Sequence, residues 1–210
     1  KFINEFKIDK SLINFIGLSG QTIFHSPNDK ITIQLGSGEK IKKKLGIKVI
    51  GNFRENDINN GGQGAPIGAF YHKYIINNFA KKSIILNIGG ISNITSIKNL
   101  KLIAFDVGPG NCLIDDLMYY HFKKNYDKFG QNAKKGKKNM ELINLFENDF
   151  YFKTKYPKSL DREHFKKYFY KLNKLKKYDS ITTASYMTIK GIILGIKLLN
   201  NNDIEELIIT

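Results

Sequence analysis

The chain is poor in arginine. Arg54 and Arg162 stand alone among 34 basic residues, and the rest are lysines. The formal net charge of +15 invites a nucleic-acid partner. Nucleic-acid readers, however, lean on arginine for bidentate base and phosphate contacts. The one dense basic run, "KKGKK" (134–138), reads as a solvated loop, so no nucleic-acid role is expected. A single cysteine, Cys112, excludes an intrachain disulfide and agrees with a reducing compartment. No apolar run approaches the roughly 18 residues that span a bilayer. The opening "KFINEFKIDK" has no apolar signal region. No membrane partner and a cytoplasmic location are expected. His25, His72, His121 and His164 show no HxH or HExxH spacing, so no metal site is expected among them.

What is present is a globular composition, 41% hydrophobic and 12% aromatic, over 210 residues. That length allows one large domain or two small ones. Strands are predicted around Ile23-Phe24, at 30–37 ("KITIQLGS") and at 47–53 ("IKVIGNF"). A short helix, "EKIKKKLG", is predicted to stop at Gly46. Residues 54–68 read as a long glycine-rich loop. Pro66 then introduces a helix over 68–80. Residues 82–97 read as a β-hairpin with Gly89-Gly90 near its tip, and 101–111 as a strand running into a loop. Helices follow at 112–126, 139–152 and 179–202. Asp179 or Ser180 is the expected cap of the last, and Asn200 to Asn202 its end. "IEELIIT" begins another strand. The alternation predicts an α/β protein of two lobes, 1–80 and 81–210. The chain opens on Lys and stops at an apolar run, which reads as a fragment.

Chemistry is sought in the glycine-bearing loops: Gly17 to Thr22, Gly61 to Pro66, Gly89 to Asn93, and Gly108 to Asn111. Glycine lets a backbone approach a ligand and present its N–H groups. Neither the P-loop nor the dinucleotide fingerprint is present. Asp106 ends the apolar run of "LIAFDVGPGN" and precedes Gly108 and Gly110. A carboxylate there suits a general base. It equally suits an Asx-turn that only steadies its loop. Arg54, beside Glu55 and Asp57, suits a carboxylate clamp or a surface ion pair. Arg162 reads as structural in the same way. Cys112 opens a helix, which can lower a thiol's pKa, but a small buried residue is the plainer reading.

Six ordered stretches together resemble one family: "GQTIFHSP" (20–27), "TIQLG" (32–36), "FRENDINNGGQGAP" (53–66), "LNIGGISNIT" (86–95), "FDVGPGNCLID" (105–115) and "PKSLDREHF" (157–165). They are similar to the bacterial 1,6-anhydro-N-acetylmuramic acid kinases of cell-wall recycling. The resemblance implies the actin-like, RNase H-type fold of sugar kinases. It implies an ATP- and Mg2+-dependent reaction in which water opens the anhydro bridge while O6 is phosphorylated, giving N-acetylmuramic acid 6-phosphate. By resemblance Asp106 activates that water. Arg54, Gln21, Thr22, Gly62, Gln63 and Gly64 fall to the amino-sugar side. Gly89, Gly90, Asn93, Gly108, Gly110 and Asn111 fall to the phosphate side. A homodimer is also implied.

The chain departs from the family pattern at Leu18 and Ser19, where a Ser-His pair is expected, and at Asn52, where an aspartate is expected. "PKSLDRE" replaces "PKSTGRE". The family's opening Gly-Thr-Ser-x-Asp-Gly phosphate loop and its late adenosine loop are missing from this stretch. The expectation is an incomplete actin-like fold whose activity alone is doubtful. A non-catalytic remnant or sugar-binding module is the alternative.

Overall fold

The computed structural model describes residues 1–79, 81–201 and 203–210. They divide into two compact units, Lys1–Ile67 and Gly68–Thr210. The helix after Pro66 therefore belongs with the later unit, not with the residues before it.

The first unit contains α1 (Phe2–Glu5), β1 (Ile16–Gly17), β2 (Gln21–Ser26), β3 (Ile31–Leu35), α2 (Gly38–Leu45), β4 (Val49–Ile50) and α3 (Phe53–Asn59). β2 and β3 form an antiparallel hairpin, and β1 pairs parallel with β4. α2 begins where Ser37 Oγ accepts the Lys40 N–H at 3.3 Å, and it ends at Gly46 with φ +73, as predicted. Two expectations need correction. The strand predicted over 47–53 is only the pair Val49 and Ile50. Part of the predicted loop is the helix α3, so Arg54 lies on a helix rather than at a strand end. Asn52, at φ +57, turns the chain into α3 without a side-chain capping bond.

The second unit contains α4 (Ala69–Phe79), β5 (Ser83–Ile88), β6 (Ile91–Lys98), β7 (Lys101–Pro109), α5 (Cys112–Phe122), α6 (Met140–Glu147), α7 (Phe150–Lys153), α8 (Lys166–Leu172), α9 (Lys177–Leu199) and β8 (Glu206–Ile209). One mixed sheet has the order β7-β6-β5-β8; only β5 and β8 run parallel. The hairpin and its Gly89-Gly90 tip are as predicted. Residues 139–152 form two helices instead of one, because Asp149 accepts the Tyr151 N–H at 3.0 Å and starts a new one. α9 starts before its expected caps. Asp179 Oδ1 instead accepts the Lys137 N–H at 2.7 Å, and Ser180 Oγ donates to the Lys177 carbonyl. Asn200 ends α9 in the left-handed region. The predicted ends at Ala80 and Asn202 lie outside the described residues.

Two apolar clusters fill this unit. One packs Leu117, Met118, Phe146, Phe165, Leu172 and Ile181 between the helices. The other packs Ile84, Leu86, Ile94, Phe105 and Val107 with Leu199 of α9 on the sheet. Burying such side chains contributes about 1.5–3 kcal/mol each. α9 crosses β7 very closely: a Cβ on Gly191 would lie 2.7 Å from the Val107 carbonyl oxygen. No helix among the described residues is long and apolar enough to cross a membrane.

Candidate active site

Asp106 sits on the edge strand β7, 5% exposed. Its partner across the ladder is Asn93, whereas Gly108 pairs with Ser92. Val107 is thus an extra residue, a β-bulge, and bulges bend a strand and re-aim its side chains. The outer edge of β7 meets the segment that follows Pro157. The Asp106 N–H donates to the Lys158 carbonyl at 3.3 Å, and the Leu160 N–H donates to Asp106 Oδ2 at 2.8 Å. The Tyr151 hydroxyl donates to the Asp106 carbonyl at 2.6 Å. Two motifs far apart in sequence, "FDVGPGN" and "PKSLDRE", therefore meet at one carboxylate. A buried acid held by a backbone N–H on a sheet has one defined orientation, as a general base requires.

The two glycines after Asp106 serve packing. Gly108 has φ +151, and a Cβ there would lie 3.3 Å from Gly191 Cα. A Cβ on Gly110 would lie 2.1 Å from the Gly89 carbonyl oxygen. Where a side chain would stand at these two positions, α9 and the hairpin tip already lie. The N–H groups of Gly110, Asn111 and Cys112 donate to the carbonyls of Gly90, Gly89 and Gly90, at 2.9, 2.8 and 3.1 Å. Asn111 Nδ2 adds a bond to the Ile88 carbonyl. The Gly-Pro-Gly-Asn turn thus clamps the Gly89-Gly90 tip. Gly90 itself has open space where a side chain would stand.

In the first unit the glycine-rich loop folds back on α3. Arg54 Nη1 donates to the Gly64 carbonyl at 2.8 Å, and the Gly64 N–H donates to Asp57 Oδ2 at 2.7 Å. A Cβ on Gly62 would overlap that same carboxylate. Arg54, Gly62 and Gly64 are brought together, and Gln63 lies between the two glycines, half-buried. Gln21 and Thr22 lie on the β2-β3 hairpin, opposite Leu35 and Gln34. A polar cavity of about 490 Å³ in this unit is lined by Leu18, Ser19, Gln34, Lys42, Asn52 and Glu55, among others. Three of the positions that depart from the family pattern, Leu18, Ser19 and Asn52, are thus cavity positions.

Reasoning from sequence missed Tyr151, Lys158 and Leu160. Lys158 stood inside a quoted motif, but nothing marked Tyr151. Lys158 is 7% exposed, and burial lowers its pKa to about 8. Cys112 matches the plainer reading: burial pushes its thiol up to about 12. Arg162 pairs with Asp116. Among the described residues, no three His, Cys, Asp or Glu side chains gather as a metal site.

The family model described as anhydro-N-acetylmuramic acid kinase matches residues 1–210. Curated anhydro-N-acetylmuramic acid kinases are similar to the chain. The protein of Pelagibacter ubique is 43% identical over 143 residues, 66% of this chain and 38% of its own length. That of Hydrogenovibrio crunogenus is 35% identical over 192 residues, 89% and 52%. That of Haemophilus influenzae is 42% identical over 156 residues, 73% and 41%. The chain spans about half the length of these relatives, or less. It belongs to the anhydro-N-acetylmuramic acid kinase family, and its mixed α/β architecture is that of an actin-like sugar kinase.

Proposed function

We propose that the chain provides the general base and part of the amino-sugar site of an ATP-dependent anhydro-N-acetylmuramic acid kinase of cell-wall recycling. The observation that carries this reading is the buried Asp106 carboxylate, aimed by the Val107 bulge and gripped by the Leu160 N–H. Asp106 takes a proton from water as the water oxygen bonds to the anomeric carbon. The bond from that carbon to the bridging O6 breaks, and O6 leaves as the phosphoryl acceptor. The Leu160 N–H fixes the direction in which the carboxylate meets that water.

ATP, as its Mg2+ complex, would supply the phosphoryl group to O6, with ADP as the leaving group. The Gly89-Gly90 tip with Asn93 fits an oxygen-rich ligand: Gly90 is open to close approach, and the buried Ser92 hydroxyl beside it has no hydrogen-bond partner among the described residues. Gly108, Gly110 and Asn111 act by holding the tip and the bulge in place. Arg54, Gln21, Thr22, Gly62, Gln63 and Gly64 are assigned to the sugar side, with Arg54 and Gly64 keeping the loop folded on α3. A cytoplasmic location and a homodimer belong to the same proposal.

The second reading, a sugar-binding module without turnover, is favoured by Leu18, Ser19 and Asn52 lining the first unit's cavity. One comparison separates the two. Asp106→Asn in the intact source protein is expected to abolish sugar phosphorylation while leaving anhydro-sugar binding within about threefold. Turnover retained by that variant removes Asp106 as base. Absence of turnover in the unsubstituted protein, with binding intact, selects the binding module.

A further inference from the structure

We propose that Tyr151 and Lys158 are positioning residues for the Asp106 carboxylate, coupling α7 to the backbone that orients the base. The proposal rests on the reading of Asp106 given above. It starts from a closed ring of contacts. The Tyr151 hydroxyl donates to the Asp106 carbonyl at 2.6 Å. The Asp106 N–H donates to the Lys158 carbonyl at 3.3 Å. Lys158 Nζ returns to the Tyr151 carbonyl at 2.8 Å and lies 4.1 Å from the centroid of the Tyr151 ring. Two residues beyond Lys158, Leu160 supplies the N–H that holds Asp106 Oδ2. The start of α7 is itself fixed, since Asp149 accepts the Tyr151 N–H.

Each part has a reason within this ring. β7 is an edge strand, so the Asp106 carbonyl and N–H on its free side need partners from elsewhere. Tyr151 and Lys158 provide them at the residue whose direction matters. Burying a lysine stabilises little by itself, and an apolar side chain of similar volume would pack as well. A lysine 7% exposed, with its ammonium on a carbonyl and an aromatic face, defines where the following two residues run. Fixing the 158–160 backbone fixes the Leu160 N–H, and that N–H sets the direction of the Asp106 carboxylate. Small displacements of a base are enough to lower a rate by an order of magnitude or more.

The test uses the intact source protein with anhydro-sugar and ATP. Tyr151→Phe removes one hydroxyl and keeps the ring, and Lys158→Met removes the ammonium and keeps the chain length. Both are expected to lower kcat at least tenfold, with KM for the sugar within twofold. Thr182→Val is the control for lost stability. Its hydroxyl makes a 2.6 Å bond to the Ala133 carbonyl, away from β7, and it is also 7% exposed. It is expected to lower Tm by a similar amount and leave kcat within twofold. Amide exchange at Leu160, followed by NMR, is expected to quicken at least tenfold in Tyr151→Phe and not in Thr182→Val. Wild-type kcat in Tyr151→Phe, or unchanged Leu160 exchange, overturns the proposal even if Lys158→Met fails to fold. Should Asp106→Asn retain turnover, the base assignment fails separately, and the Leu160 exchange rate still decides whether Tyr151 holds this segment.

Discussion

Gly191→Ala tests the contact that brings α9 against the Asp106 strand. The added methyl would stand 2.7 Å from the Val107 carbonyl oxygen and 3.3 Å from Gly108 Cα. Both are backbone atoms, so no side chain can swing aside, and helix and strand must part by several tenths of an ångström. Two effects oppose each other. Alanine in a helix interior is favoured over glycine by about 1 kcal/mol. Overpacking a tight interface costs about 1–3 kcal/mol, and contact with backbone belongs at the upper end of that range. The net expectation is a loss of about 1–2 kcal/mol. Urea unfolding should show a lower midpoint with an unchanged slope, since the surface exposed on unfolding is the same. The strained carbonyl belongs to the residue after Asp106, so the rate of the proposed reaction should fall more than sugar affinity. A neutral or stabilising Gly191→Ala would show that helix and strand are not in this close register, and the packing reason for Gly108 would fall with it.

Two further predictions concern other parts of the chain. Gly62→Ala should destabilise the first unit by about 1 kcal/mol, because its methyl displaces the Asp57 carboxylate from the Gly64 N–H; in an Asp57→Ala background the same change should cost nearly nothing, and additive losses in a double-mutant cycle would refute the link. Burial by itself would raise the pKa of Asp149, but the Lys167 ammonium, the Tyr168 hydroxyl and the Tyr151 N–H more than offset it and hold the carboxyl down to about 2. A depressed pKa contributes stability that is present above the ordinary value of 3.8 and lost as pH falls toward 2. With allowance for solvent screening this is about 1 kcal/mol. Tyr168→Phe should shrink that acid-limb loss in urea titrations at pH 5 and pH 2.5, and an unchanged difference would refute it.

What was legible in the sequence was local. The Gly46 helix stop and the Gly89-Gly90 hairpin tip are signals carried by a few adjacent residues. α3 was hidden because "FRENDIN" has no apolar period and a glycine-rich run follows. The break between α6 and α7 turned on one aspartate inside an aromatic-rich stretch. The packing that requires glycine in "FDVGPGN" is not legible locally, because its neighbours in space lie far off in sequence. Gly108 faces Gly191, and Gly110 faces the Gly89 carbonyl. The same distance concealed the support of Asp106, which comes from Tyr151, Lys158 and Leu160.

The acid itself could be found from its place after an apolar strand, but its environment could not. β7 does not end on the aspartate: the strand continues through the bulged Val107 to Pro109. A regular ladder would alternate every side chain from Phe105 to Pro109 between the two faces of the sheet. The bulge breaks that alternation just after Asp106, and the turn formers that follow let α9 and the hairpin tip close on either side. Glycine, proline, glycine and asparagine thus pack a bent strand end after the acid, and a carboxylate held at such a bend by the Leu160 N–H has a fixed direction.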